Sequence, residues 1–183
     1  MNNNNNTTQN HLNNSIKLVR DKYNKPKYKK IKGITGVIKV FDQNLSDKYD
    51  NQSRAIIREK LGDNIIDNPD KYGEDIIVLT DDIPYQYIEL QVFGLWNNDK
   101  FPYDFPFIYE RKMKFRGSTL FICFNATYDK LIMFSKSAIH PKKYKIKKYS
   151  REYIHYVPWS KTMTLNTIEL SIQSIRLYTG DLD

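Results

Sequence analysis

The sequence predicts a domain of mixed α and β structure, and three observations carry that prediction. Short runs rich in Ile, Val and aromatic residues recur between residues 64 and 135, a composition that fits pleated, half-buried backbone. Residues 46–62 and 166–180 instead space their apolar side chains at helical period. Clusters of turn-forming residues, "NPDKYGE" and "TDDIP" among them, separate the runs. In chain order the body reads helix, three strands, helix, strand, with a further strand and helix appended.

The chain opens on "MNNNNNTTQNHLNNS", a polar low-complexity tract that cannot build a packed core and is expected to be disordered. "IKLVRDKYNKPKYKKIKG" follows as a basic arm in which Pro26 opposes a continuous helix. Residues 1–32 are therefore assigned to tract and arm, and residues 33–183 to one globular domain, as suits a 183-residue chain. "GVIKVF" reads as a strand. In "SDKYDNQSRAIIREKLG", Ser46 or Asp50 can cap a helix, Tyr49, Ile56, Ile57 and Leu61 recur near helical spacing, and Gly62 suits its end. "NIID", "DIIVL" and "YQYIELQVF" are the three strands.

Beyond them, "KFPYDFPF" is interrupted by two prolines, and "IYERKMKF" is read as a short helix although its apolar positions also fit a strand. "TLFICFN" and "KLIMFS" form a hairpin through "ATYD", dense enough in large apolar residues to be core. "KSAIHPKKYKIKKYSR" is an exposed basic loop, and "EYIHYVPW" a strand that ends at Pro158. In "NTIELSIQSIRLYTG", Asn166 and Glu169 stand at capping-box spacing, with Ile168, Ile172 and Ile175 on one face of a final helix.

Composition narrows the function classes. Cys123 is the one cysteine, which excludes a disulfide within the chain and suits a buried apolar position in a reducing compartment. His11, His140 and His155 are far apart and lack a Cys-x-x-Cys partner, so a structural zinc site is not expected. No apolar run approaches the ~20 residues of a membrane span, and the N-terminus has no secretory h-region. A soluble intracellular protein of cytoplasm or nucleus, with no membrane partner, is the expectation. Glycine-rich phosphate loops, G-x-S-x-G and H-E-x-x-H are missing, which removes the usual signatures of NTPases, esterases and zincins.

The net charge of +8 is unevenly spread. Residues 16–34 and residues 136–151 carry +7 each, which leaves −6 for the remainder. Two basic segments on an acidic body suit a polyanion partner beside a carboxylate-lined site. In the second segment Lys142, Lys143, Lys145, Lys147 and Lys148 are placed to meet phosphates, while Tyr144, Tyr149 or Trp159 could stack on bases or instead anchor the next strand in the core.

The acids supply the chemistry. Glu89 and Gln91 share one face of their strand, opposite Ile88, Leu90 and Val92. Asp75 opens the preceding strand, and a hairpin brings it beside Glu89. Neighbouring carboxylates repel unless a cation neutralises them, and Mg²⁺ takes a few carboxylates with water completing its octahedron.

Asp75, then Glu89 and Gln91 within "IELQV", resemble the PD-(D/E)xK nuclease superfamily, whose restriction-endonuclease-like core runs αβββαβ. Pro69-Asp70 spells the name-giving pair, yet Asp75 directly precedes an apolar strand and is the better match. The resemblance covers roughly residues 46–135 and implies a metal-dependent phosphodiesterase acting on DNA or RNA. It implies Mg²⁺ or Mn²⁺ held by Asp75, Glu89 and the Leu90 carbonyl, with Glu59 of the first helix aligning a second ion or its water. Position 91 departs from the family's lysine: Gln91 can orient a water but carries no charge, so Lys112 or Lys114 would supply it. The alternatives are a non-catalytic nucleic-acid-binding or packaging protein, in one version viral, that keeps the fold, and an interaction module whose basic tails bind another polyanion.

Overall fold

The computed structural model of the protein describes residues 28–29, 38–39, 43–97, 99–146 and 152–178. The Asn-rich tract, most of the basic arm, Lys147, Lys148, Tyr149 and the predicted helix end at Gly180 lie outside them. Architecture is mixed α and β, dominated by sheet. Strands β1 (Tyr28–Lys29) and β2 (Ile38–Lys39) pair antiparallel, which puts two residues of the predicted arm in a ladder with the predicted "GVIKVF" strand.

Helix α1 (Gln43–Leu61) leads into the main sheet. It starts before both predicted caps, because no Gly or Pro interrupts residues 43–45, so Ser46 and Asp50 stand inside it. Its end is the expected one: Gly62 has φ +55°, the left-handed conformation that glycine adopts without a Cβ penalty. Ile57 and Leu61 enter the core, and α1 packs against β5.

The main sheet has six strands: β3 (Ile65–Asp67), β4 (Ile76–Val78), β5 (Tyr87–Phe93), β7 (Thr119–Asn125), β8 (Lys130–Ser135) and β11 (Met163–Asn166), in the order β11-β8-β7-β5-β4-β3. Strands β3, β4 and β5 form an antiparallel meander, while β5 and β7 run parallel over seven residue pairs. Buried along its whole length, β7 explains the unbroken apolar run "TLFICFN". Phe121 stacks on Phe134 of β8 at 5.3 Å, and Cys123 is buried, its thiol pushed up to about 12 by loss of solvent.

A parallel pair needs a crossover rather than a tight hairpin. Here residues 94–118 provide it, and they hold β6 (Phe107–Tyr109) and a 3₁₀ turn, Glu110–Lys114, in place of the predicted helix. The apolar end of "IYERKMKF" pairs with β10 (Tyr153–Tyr156), leaving five residues, too few for a stable α-helix. Strand β9 (Lys143–Lys145) pairs with the other edge of β10, so part of the predicted basic loop joins a small sheet, β6-β10-β9.

The predicted C-terminal helix is divided. Met163–Asn166 adds to β8 as an edge strand, and the Asn166–Glu169 capping box closes a 3₁₀ turn, Thr167–Glu169. A second box, Ser171 with Ser174, then starts α2 (Ile172–Leu177). The break turns Ile168 out to 82% exposure, whereas Ile175 stays buried.

Gly62→Ala should lower stability by about 1–2 kcal/mol in urea unfolding, through backbone strain alone, since no atom lies within 4 Å of the position a Cβ would take.

Candidate active site

The β4–β5 ladder pairs Ile76 with Ile88 and Ile77 with Tyr87. One further step places Asp75 opposite Glu89. Strand β4 ends at Ile76, which leaves the Leu90 amide without a ladder partner there, and Asp75 fills the gap: its Oδ2 accepts from Leu90 N at 2.9 Å. The other oxygen, Oδ1, is bound by the Arg54 guanidinium from α1, and Arg54 Nη1 also reaches the Asp75 carbonyl at 2.7 Å. Asp75 is thus fixed from two elements.

Glu89 is 5% exposed, at the centre of a strand covered on both sides. Lys112, from the crossover's 3₁₀ turn, puts its Nζ 2.6 Å from Glu89 Oε1 and 3.1 Å from the Leu90 carbonyl oxygen. One ammonium therefore sits between a carboxylate and a main-chain oxygen. Burial pushes the Glu89 carboxyl up to about 7; Lys112 acts against that, and the adjacent Asp75 adds to it. Glu89 Oε2 is buried with no donor. As two bare carboxylates, Glu89 and Asp75 repel; a proton on one converts their contact into a hydrogen bond.

Lys112, Asp75 and Glu89 therefore converge, and the remaining sequence candidates lie elsewhere. Glu59 lies apart from them, its side chain 75% exposed beside Lys60. Arg54, five residues earlier and so well round the helix, is the α1 residue that faces the acids. Lys114 also lies apart: its Nζ donates to the Tyr72 carbonyl at 2.6 Å and lies over the Phe115 ring. Gln91 gives its amide to the Phe107 carbonyl at 3.1 Å, tying β5 to β6, while its own Oε1 is buried without a partner. Arg54 was not singled out from sequence, because an arginine at that helix position looks like any solvated residue until the sheet is placed.

A cleft of about 570 Å³ opens beside Asp75, between α1 and the β3–β4 connection, with Arg54, Arg58 and Lys71 among its lining residues. Asp67 on its wall is bound by Arg54 and Arg58. The neighbouring Glu74 is buried and satisfied by Arg116 and Thr119, which removes it from the reactive set. Among the described residues, no group of three or more His, Cys, Asp or Glu side chains gathers as a metal cluster. Of the oxygens here, Lys112 Nζ holds Glu89 Oε1 and the Leu90 carbonyl, Arg54 and Leu90 N hold Asp75, and Glu89 Oε2 is the one left without a partner, so it is the atom a hard cation would use.

Comparison with known proteins returns no matching family model, no matching curated protein and no matching solved structure.

Because the folded chain holds a proton on Glu89 more tightly than the unfolded chain does, stability falls as pH rises from about 4.5 through 7 and is level above. Urea unfolding at pH 5 and pH 8 should show a loss on the order of 2 kcal/mol in the wild type, much reduced in Glu89→Gln. Lys112→Ala strands the buried carboxylate and should cost about 3–5 kcal/mol at pH 8 by the same measurement.

Proposed function

We propose that the protein is a nuclease-like phosphodiesterase of the PD-(D/E)xK type, cleaving DNA or RNA with a divalent cation. One observation carries this reading: Asp75 and Glu89 stand opposite each other on adjacent strands, with the Lys112 ammonium bound to Glu89 and to the Leu90 carbonyl. Lys112 is a positive charge beside the strand position where Gln91 has none. Part of the element order supports it: α1, the meander β3-β4-β5 and the parallel β7 follow that plan, while β6 and a 3₁₀ turn stand where its second helix would be.

Asp75 and the Oε2 of Glu89 would hold Mg²⁺ or Mn²⁺, the Leu90 carbonyl being bound by Lys112. When bound, such an ion polarises a phosphodiester and lowers the pKa of water. The chain's own residues do the rest. Arg54 holds Asp75 in place, Lys112 Nζ offers a fixed positive charge to oxygen atoms that gain charge during displacement, and Gln91 anchors β6 and so the turn that carries Lys112.

A second reading rests on the same contacts. Arg54 and Lys112 already compensate the two carboxylates, an arrangement equally suited to a protein that binds polynucleotide without cutting it.

Incubation with labelled single- and double-stranded DNA and RNA plus Mn²⁺ or Mg²⁺ separates the two. Cleavage should fall by about 10²–10³-fold in Asp75→Asn, Glu89→Gln and a folded Lys112→Gln, and stay within about twofold in Glu59→Gln and Lys114→Ala, whose side chains lie away from the acids. Salt-sensitive binding without cleavage in the wild type would establish the second reading.

A further inference from the structure

The small sheet β6-β10-β9 carries a group of rings that the acid site does not use. Tyr156 is its hub: His140 stacks on it at 4.5 Å and 16°, Phe105 lies 5.3 Å away and Tyr144 5.6 Å away. Phe105 and Tyr144 flank Tyr156 and keep 46% and 41% of their surface in solvent. A lone exposed aromatic needs no explanation, whereas contiguous rings at the surface mark a binding site.

The charge around the rings names the partner. Lys142 is exposed two residues before Tyr144, and its Nζ lies 5.4 Å from the Tyr144 ring centre, while Lys145 is exposed on the opposite face of β9. Lys143 bonds Glu110 at 2.7 Å and lies over Tyr153 at 4.7 Å. Aromatic faces interleaved with ammonium groups match a polymer that alternates flat bases with phosphates, and the bases must be unpaired for their faces to be reached. An acidic protein would use the lysines and leave the rings idle.

We infer that Phe105 and Tyr144, packed against Tyr156, form a stacking platform for single-stranded nucleic acid, with Lys142 on its phosphates. One five-residue turn contacts both regions: its Glu110 holds Lys143 of β9, and its Lys112 holds Glu89. The inference rests on the nuclease-like reading only in taking a polynucleotide as the polymer handled.

The test is fluorescence anisotropy on the full chain, with a labelled thymidine oligonucleotide, a duplex of equal length, and polyphosphate as a polyanion without bases. The oligonucleotide should bind more tightly than either. Tyr144→Ala and Phe105→Ala, both at exposed positions and so compatible with folding, should each weaken it by about 5- to 100-fold while polyphosphate binding changes by less than about twofold, and Tyr144→Trp should retain the oligonucleotide. Equal affinity for oligonucleotide and polyphosphate, or alanine variants that bind as the wild type does, would overturn the platform. Ring-dependent binding without cleavage in Mn²⁺ supports the platform and removes the phosphodiesterase reading; cleavage unaffected by the ring substitutions does the reverse.

Discussion

A lysine ammonium, removed from water and held between the Glu89 carboxylate and the Leu90 carbonyl, is the constraint around which this molecule is organised. Burying two opposite charges returns little net stability, since desolvation cancels most of their attraction, and an apolar pair of similar volume would serve a core as well or better. Fold stability therefore gives no reason to keep such a pair at the centre of the sheet. With the second acid, Asp75, close enough to push the Glu89 carboxyl further up, the arrangement concentrates charge where packing alone would exclude it. Concentrated charge of that kind is characteristic of reactive sites.

The topology makes the arrangement possible. Parallel pairing of β5 with β7 forces the chain out of the sheet and back, and the returning crossover lays the 3₁₀ turn near β5. Antiparallel pairing of β4 with β5 does the complementary job, setting Asp75 across from Glu89. Arg54 then closes the group from α1. Three different kinds of connection, a helix, a hairpin and a crossover, each deliver one charged side chain to the acids.

The same turn links the two sheets. Its first residue, Glu110, pairs with Lys143 of the small sheet, and its third, Lys112, with Glu89 of the large one. Lys143, within the basic segment, is thus tied to the turn whose Lys112 holds Glu89.

Strand positions were legible along the chain because β-branched and aromatic composition and the turn residues that bound each run are local. "TLFICFN" and "KLIMFS" correspond residue for residue to β7 and β8, and Asp75 and Glu89 followed from the same pattern. Elements whose identity depends on a distant partner were not: β6 became a strand because β10 pairs with it, and Met163–Asn166 because β8 offered an edge. On the helix, the family resemblance pointed to Glu59, while the orientation of α1 against β5 turned Arg54 toward the acids and left Glu59 in water. Between Lys112 and Lys114 the chain itself offered no preference, since both are lysines two residues apart. Local chemistry could specify which residue types were needed; only the path of the crossover, a matter of long-range pairing, could decide which lysine met the carboxylate.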